Sequence, residues 1–413
     1  MPRLVFDVRA NHDTGVSRYG LSVLPAAAGG LVERGWHVDV VVNSVQLSRA
    51  QHAVGGLGHR VKVHVATADE GFVRRSRGVR ALACAADLYY TSHYLLDRSC
   101  PVPFVVTIHD LTRLRWPQFS YTDTTFAARF GPSELGMVQH ELAALAAWQD
   151  PRFAGYDNFT RYFAALNRFL ASHAERVVTV SQSSAVELQQ WLDLPTGRID
   201  VVPGGVDTTV FYPRPAAEAD AIRMRLGVPG PYLVFVGLAH PNKRLDWLVE
   251  QLVVVRRRMP ARVRLVAVGG HAEKIDAVHR RLLDAGASDF VVFAGRVTDA
   301  ELAALYSGAA ALVSASFSEG YGLPVQEALS CRCEVIVADI PVTRETAGEA
   351  AHRFPPASGH ALADLACAAL VGRLERRSPG HRPPSWRTAG NELAHVLART
   401  WRYSPRQEER IRA

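Results

Sequence analysis

The chain has 413 residues, 48% of them apolar and 21% charged, with a net charge of +7. That length accommodates two domains with full-sized cores, and the composition excludes a disordered or fibrous chain. No charge-free apolar run approaches the roughly 18 residues of a membrane span. The N-terminus does not read as a signal peptide, and five scattered cysteines favour free thiols in a reducing, cytoplasmic setting over a disulfide framework.

The positive charge is almost all arginine, and the only lysines are Lys62, Lys243 and Lys274. No basic run is interleaved with aromatics, which argues against a nucleic-acid partner. A basic surface suits anionic substrates or, at most, peripheral contact with an anionic membrane face.

Taken in chain order, short β-branched runs at 4–8, 37–42, 61–65, 87–91, 104–108 and 176–180 read as strands separated by amphipathic stretches. The series breaks at 121–170, which reads as a helical insertion rich in Phe, Ala and Tyr. After a Pro/Gly/charged passage from Pro203 to Pro231 it restarts at 232–237, 263–269, 289–295, 310–316 and 334–339. Alternation of this kind means parallel sheets with crossover helices, and two series mean two Rossmann-like doubly wound α/β domains. The boundaries fall at 1–205 and 206–385, with an exposed Pro/Arg-rich connection at 373–385 and a final helix, 386–413, crossing back to the first domain.

Open parallel sheets bind ligands beyond the carboxyl ends of their strands. After the run at 310–316 comes FSEGYGLPVQE. Gly320 and Gly322 let backbone approach a ligand, Pro324 suits a first helical turn, and the amides of Gly322 and Leu323 make a phosphate site. Glu319 and Glu327 flank it and suit sugar hydroxyls better than phosphate. The other reading is a helix start with an acidic first turn. Lys243 follows the first strand of the second domain, either facing a diphosphate or standing solvated at a helix start.

In the first domain, Gly15 can open a turn that presents the amides of Val16 and Ser17. Arg18 is either functional or paired on a helix. His109 and Asp110 follow a strand, where His109 either bonds a ligand hydroxyl or forms a structural pair with Asp110. The close pair Cys331 and Cys333 lacks zinc-site neighbours and reads as core. There is no Asp-x-Asp, no phosphate loop of the G-x-x-x-x-G-K-[ST] type and no G-x-S-x-G, so metal-pair sugar transfer, P-loop phosphoryl transfer and elbow hydrolysis all lack support.

With GVSRYG, VVTIHDL, VVTVSQSS, IDVVPGGVDTTVF, PNKRLDWLV and the E-x7-E of Glu319 to Glu327 in order along the chain, the sequence resembles glycosyltransferase family 4. The resemblance implies a GT-B fold, its two domains facing across a cleft, and transfer from a nucleotide-diphosphate sugar with retention of configuration. No cofactor and no metal are implied. It places His109, Glu319 and Lys243 at the reacting centre. It sets the donor against Gly15, Val16, Gly237, Lys243, Val297, Glu319, Gly320, Tyr321, Gly322, Leu323 and Glu327.

Within this resemblance Glu327 holds the ribose and Glu319 the transferred sugar, while the imidazole or carbonyl of His109 faces the developing positive charge. The family has Arg before the matching lysine. Here that residue is Asn242, with Arg244 or His240 as candidate substitutes. The acceptor is a sugar or small molecule: a polysaccharide, a lipid-linked intermediate or a natural product. A nucleotide-sugar epimerase and a non-catalytic sugar-nucleotide binder are the alternatives.

Overall fold

The computed structural model describes residues 1–9, 15–66, 77–94, 96, 98–237, 240–259, 263–269, 278–280, 282–284 and 288–402. Lys274 and the final part of the helix expected over 386–413 lie outside the described residues. The chain divides into two compact units, one of Met1–Gly204 joined by the chain from Trp386 on, the other of Gly205–Ser385.

The first unit is built on seven parallel strands: β1 (Arg3–Asp7), β2 (His37–Val42), β3 (Val61–Val65), β4 (Leu88–Thr91), β5 (Phe104–Thr107), β6 (Arg176–Thr179) and β7 (Ile199–Val201). Their order is β3-β2-β1-β4-β5-β6-β7. The runs of Val, Leu and Phe become central strands because crossover helices cover both faces of a parallel sheet. Asp39 interrupts β2, and its burial is compensated by Arg3 Nε at 2.6 Å and His64 Nε2 at 2.7 Å.

The region expected as an insertion contains helices Asp123–Phe130, Pro132–Ala144 and Asn158–His173. The last of these is the crossover between β5 and β6, which parallel strands require. It buries Phe159, Tyr162, Phe163, Leu166 and Leu170 in the core. The inserted part therefore ends before Asn158.

Helix Trp386–Arg402 packs on helix Gly15–Glu33 through small residues. A Cβ added to Gly390 would meet the Val23 carbonyl oxygen at 2.5 Å and Ala26 Cβ at 2.7 Å. Its Arg399 also reaches Asp200 at 2.6 Å.

The second unit holds six parallel strands: β8 (Tyr232–Val236), β9 (Arg264–Val268), β10 (Val291–Gly295), β11 (Ala311–Ser314), β12 (Val335–Ala338) and β13 (Ala351–Phe354). They run β10-β9-β8-β11-β12-β13. The order reverses between β1 and β4 in the first sheet and between β8 and β11 in the second. At such a reversal the connecting helices leave to opposite faces and open a crevice at the strand ends. Among the described residues no helix is long and apolar enough to cross a membrane.

Candidate functional site

The crevice of the second unit lies where β8 and β11 run side by side. Each strand delivers one charged residue to it. After β8, Pro241–Lys243 forms a 3-10 turn, and Arg244 takes a left-handed conformation (φ 51°) before helix Leu245–Arg258 begins. Lys243 thus stands just before the helix rather than in it. Its stem passes Gly237, the residue that follows β8. After β11 comes the loop that carries Glu319.

Sheet order brings the two together: Lys243 Nζ lies 2.5 Å from Glu319 Oε1, across 76 residues of sequence. Their side chains are 19% and 15% exposed. The sequence assigned one to a diphosphate and the other to a sugar. In this structure each is the other's partner. The pair, with Tyr321, Gly322, Thr343 and Thr346, lines a cavity of about 20 Å3, room for roughly one water. A cavity of that size does not hold a hexose. A second depression of about 670 Å3, against Glu345, Glu349, Glu375, Arg377 and His381, shares Thr346 with the small cavity and contains none of the site residues expected from the sequence.

Gly322 is left-handed (φ 88°, ψ 48°) and caps helix Leu323–Ser330, with Pro324 in its first turn. Only a residue without Cβ adopts that conformation at no steric cost. The first amide bonded within the helix is that of Val325, to the Gly322 carbonyl. The amides of Gly322 and Leu323 therefore precede the bonded turns, at the positive end of the helix dipole. Gly320 and Tyr321 lie on the same loop. Tyr321 is 9% exposed, and burial, reinforced by Glu345, pushes its phenol up to about 12. Glu327 lies one turn into the helix and is 3% exposed. Val297 follows β10 and packs on the core cluster that includes Leu302 and Val325; it is not among the residues around the small cavity.

Asn242 stands where the family has Arg, and its amide has a different job. Nδ2 donates to the Ser318 carbonyl at 3.0 Å, and Oδ1 accepts from His240 Nδ1 at 2.7 Å. The Asn242 carbonyl accepts from the Phe317 amide at 3.2 Å. The residue ties the β8 loop to the β11 loop directly behind Glu319. Arg244 does not replace the missing cation: its guanidinium stacks on Trp247 at 3.9 Å and bonds the Pro356 carbonyl.

In the first unit, Gly15 and Val16 open helix Gly15–Glu33. His109 follows β5 at its carboxyl end. Its Nε2 donates to the Ser92 carbonyl at 2.9 Å, and its ring meets Tyr19 edge-on at 5.0 Å. Burial holds the imidazole below the usual histidine range, outweighing Ser92 and Asp110. That shift favours the neutral ring, with its Nε2–H used on Ser92. The His109 carbonyl accepts from Ser184 Oγ at 3.0 Å. Asp110 is not its partner; it accepts from the Thr112 amide at 2.9 Å.

The sequence reading missed Ser92, Ser184 and Tyr19, which fix His109, and the bracing role of Asn242. The signal for Asn242 was its place beside the rare lysine.

Two units, each built on an all-parallel sheet whose strand order reverses once, define an α/β architecture of the GT-B type. Comparison with known proteins agrees. The profile "Glycosyltransferase Family 4" matches residues 26–210 and "Glycosyl transferases group 1" matches 230–371. The chain belongs to the family 4-like glycosyltransferases.

The D-inositol 3-phosphate glycosyltransferase of Frankia alni is 31% identical over 220 residues, 52% of either chain. The O-antigen chain mannosyltransferase B of Escherichia coli is 30% identical over 43% of this chain and 46% of its own. The chain thus spans about half the length of the curated relatives it matches. Among solved structures, HepE of Anabaena in complex with UDP and glucose is similar with a TM-score of 0.63 at 14% identity, covering 100% of this chain and 99% of that one. A glycosyltransferase of Rickettsia africae gives 0.65 at 16%, over 97% and 98%. At these identities the likeness establishes the fold.

Proposed function

We propose that this protein moves a sugar from a nucleotide-diphosphate sugar to a hydroxyl of a sugar-like acceptor, retaining the anomeric configuration and using no metal ion. The single observation that carries the reading is the Lys243–Glu319 pair at the β8/β11 reversal, next to the helix start at Gly322. A donor's diphosphate takes Lys243 from Glu319 and lies against the amides of Gly322 and Leu323. The released carboxylate accepts hydroxyls of the transferred sugar. The acceptor oxygen bonds to the anomeric carbon as the bond to the diphosphate breaks. The leaving diphosphate takes both the electron pair and the acceptor's proton. Lys243 and the helix amides stabilise the charge that develops there.

The names of relatives support a sugar acceptor, and the UDP and glucose held by HepE support a nucleotide-sugar donor. The test is a thermal-shift screen of UDP-, GDP-, ADP- and dTDP-sugars, followed by turnover with and without a chelator. Native-state binding well above Kd raises stability by about 3 kcal/mol. Glu319→Ala should bind nucleotide and lose turnover. Wild-type rates in that variant, or turnover lost in EDTA and restored by a divalent ion, refute the mechanism. A non-catalytic binder is the second reading, favoured by Asn242 in place of a cation. It predicts donor binding without consumption.

A further inference from the structure

The first unit carries a guanidinium with no acidic partner among the described residues. Arg113 follows His109 by four residues at the carboxyl end of β5, the side on which open parallel sheets take ligands. Its guanidinium lies over two rings, 5.1 Å from the centroid of Tyr121 and 5.5 Å from that of Phe159. Its Nη1 is buried, and no acceptor among the described residues reaches it. The hydroxyl of Ser120, seven residues on, is likewise buried, and no partner among the described residues reaches it.

Among the described residues no ion pair joins Arg113 to an acid, and other acids of this unit have partners of their own. Asp110 accepts from the Thr112 amide. Glu187 pairs with Arg115, Glu141 with Arg98, and Asp150 with Arg152 and Arg168. Arg9 also has a buried Nη1 without an acceptor, but its charge is answered by Asp7, bonded at 2.6 and 2.9 Å. Among the described residues Arg113 has only the two rings. Stacking steadies a guanidinium and fixes its plane without satisfying its N–H groups. A planar fork held this way suits a carboxylate or phosphate, which accepts two parallel hydrogen bonds.

We infer that Arg113 is a specificity-determining residue that binds an anionic group, carboxylate or phosphate, on the sugar acceptor. The inference rests on the glycosyl-transfer reading and narrows its acceptor class to acidic or phosphorylated sugars. The rings that hold Arg113 come from the stretch between β5 and β6, so that stretch tunes acceptor choice through Arg113.

The test is titration of the full chain, already saturated with the nucleoside diphosphate selected by the donor screen. The probes are inorganic phosphate, glucose 6-phosphate, glucuronate and glucose, compared in wild type, Arg113→Gln and Arg113→Lys. At least one anionic probe should bind wild type better than glucose. Arg113→Gln should weaken it about ten- to a hundredfold, with nucleotide affinity unchanged. Arg113→Lys, which keeps the charge and loses the fork, should fall between. A response to glucuronate alone identifies a carboxylate, and a response to the phosphates alone a phosphoryl group; either supports the assignment.

Failure of every anionic probe to bind, or equal affinity in wild type and Arg113→Gln, overturns it. If Arg113→Gln loses nucleotide as well as probe, it has lost its fold and the comparison rests on Arg113→Lys. Undiminished affinity in that variant counts against the fork. Absence of any nucleotide binding in wild type refutes glycosyl transfer itself, a separate readout.

Discussion

Asn242 donates to the Ser318 carbonyl at 3.0 Å, so the side chain preceding Lys243 in sequence holds the backbone preceding Glu319. The two charged residues are thereby braced through their neighbours as well as through each other. Asn242→Ala removes that brace and touches no charge. It should weaken donor binding about five- to tenfold, the equivalent of one lost hydrogen bond of about 1 kcal/mol. Calorimetry with the nucleotide sugar reads this directly. Unaltered affinity would mean the loop needs no tie.

The ion pair behind that brace should be energetically conditional. A double-mutant cycle of Lys243→Met and Glu319→Gln, read by urea unfolding, should give a coupling of about 1 kcal/mol without ligand. At saturating nucleoside diphosphate the coupling should shrink toward zero, because the lysine has turned to the diphosphate. A coupling that persists undiminished would show that Lys243 never leaves Glu319.

Asp150 predicts an acid limit. Hydrogen bonds from the Arg152 side chain, with Arg168 adding to them, outweigh burial and bring its carboxyl down to about 2. A carboxyl held below its unfolded value adds stability that is complete above roughly pH 5 and is lost as the pH falls toward 2. Arg152 is half exposed, so screening limits the contribution to about 1–2 kcal/mol. Asp150→Asn should lose that much at pH 7 and flatten the acid arm of a stability–pH curve. A variant with the same acid arm as wild type would remove Asp150 from the account.

Gly390→Ala tests the packing of the terminal helix. The added methyl would stand 2.5 Å from the Val23 carbonyl and 3.0 Å from the Ala27 amide, both backbone atoms. In an open helix the change would add about 1 kcal/mol of propensity; here overpacking should cost about 1–3 kcal/mol net. Thermal unfolding followed at the Trp36–Trp401 pair, 5.3 Å apart, reports on the contact. A raised Tm would show that the two helices part freely.

Eleven strands were legible as apolar runs, but β7 and β13 were not. β7 is three half-buried residues, Ile199–Val201, at the edge of its sheet. β13 reads AHRF, with His and Arg inside it, and pairs only with β12. β7 is too short for a periodic run, and His352 and Arg353 interrupt the apolar pattern of β13, so pattern alone passes over both. Asn158–His173 looked like part of an insertion for another reason: a crossover helix has no local mark that separates it from an inserted one.

The site divides along the same line. Its loop was readable at Ser316–Glu327 because glycine, proline and helix-start chemistry act within a few residues. The rarity of lysine marked Lys243 without any structure. That Lys243 and Glu319 meet, and that Asn242 fastens one loop to the other, follow from β8 lying beside β11. Periodicity and turn propensity are local quantities, carried by the order of residues alone. Which strand neighbours which is set by the burial of whole faces, and only the folded chain decides which charges that burial brings together.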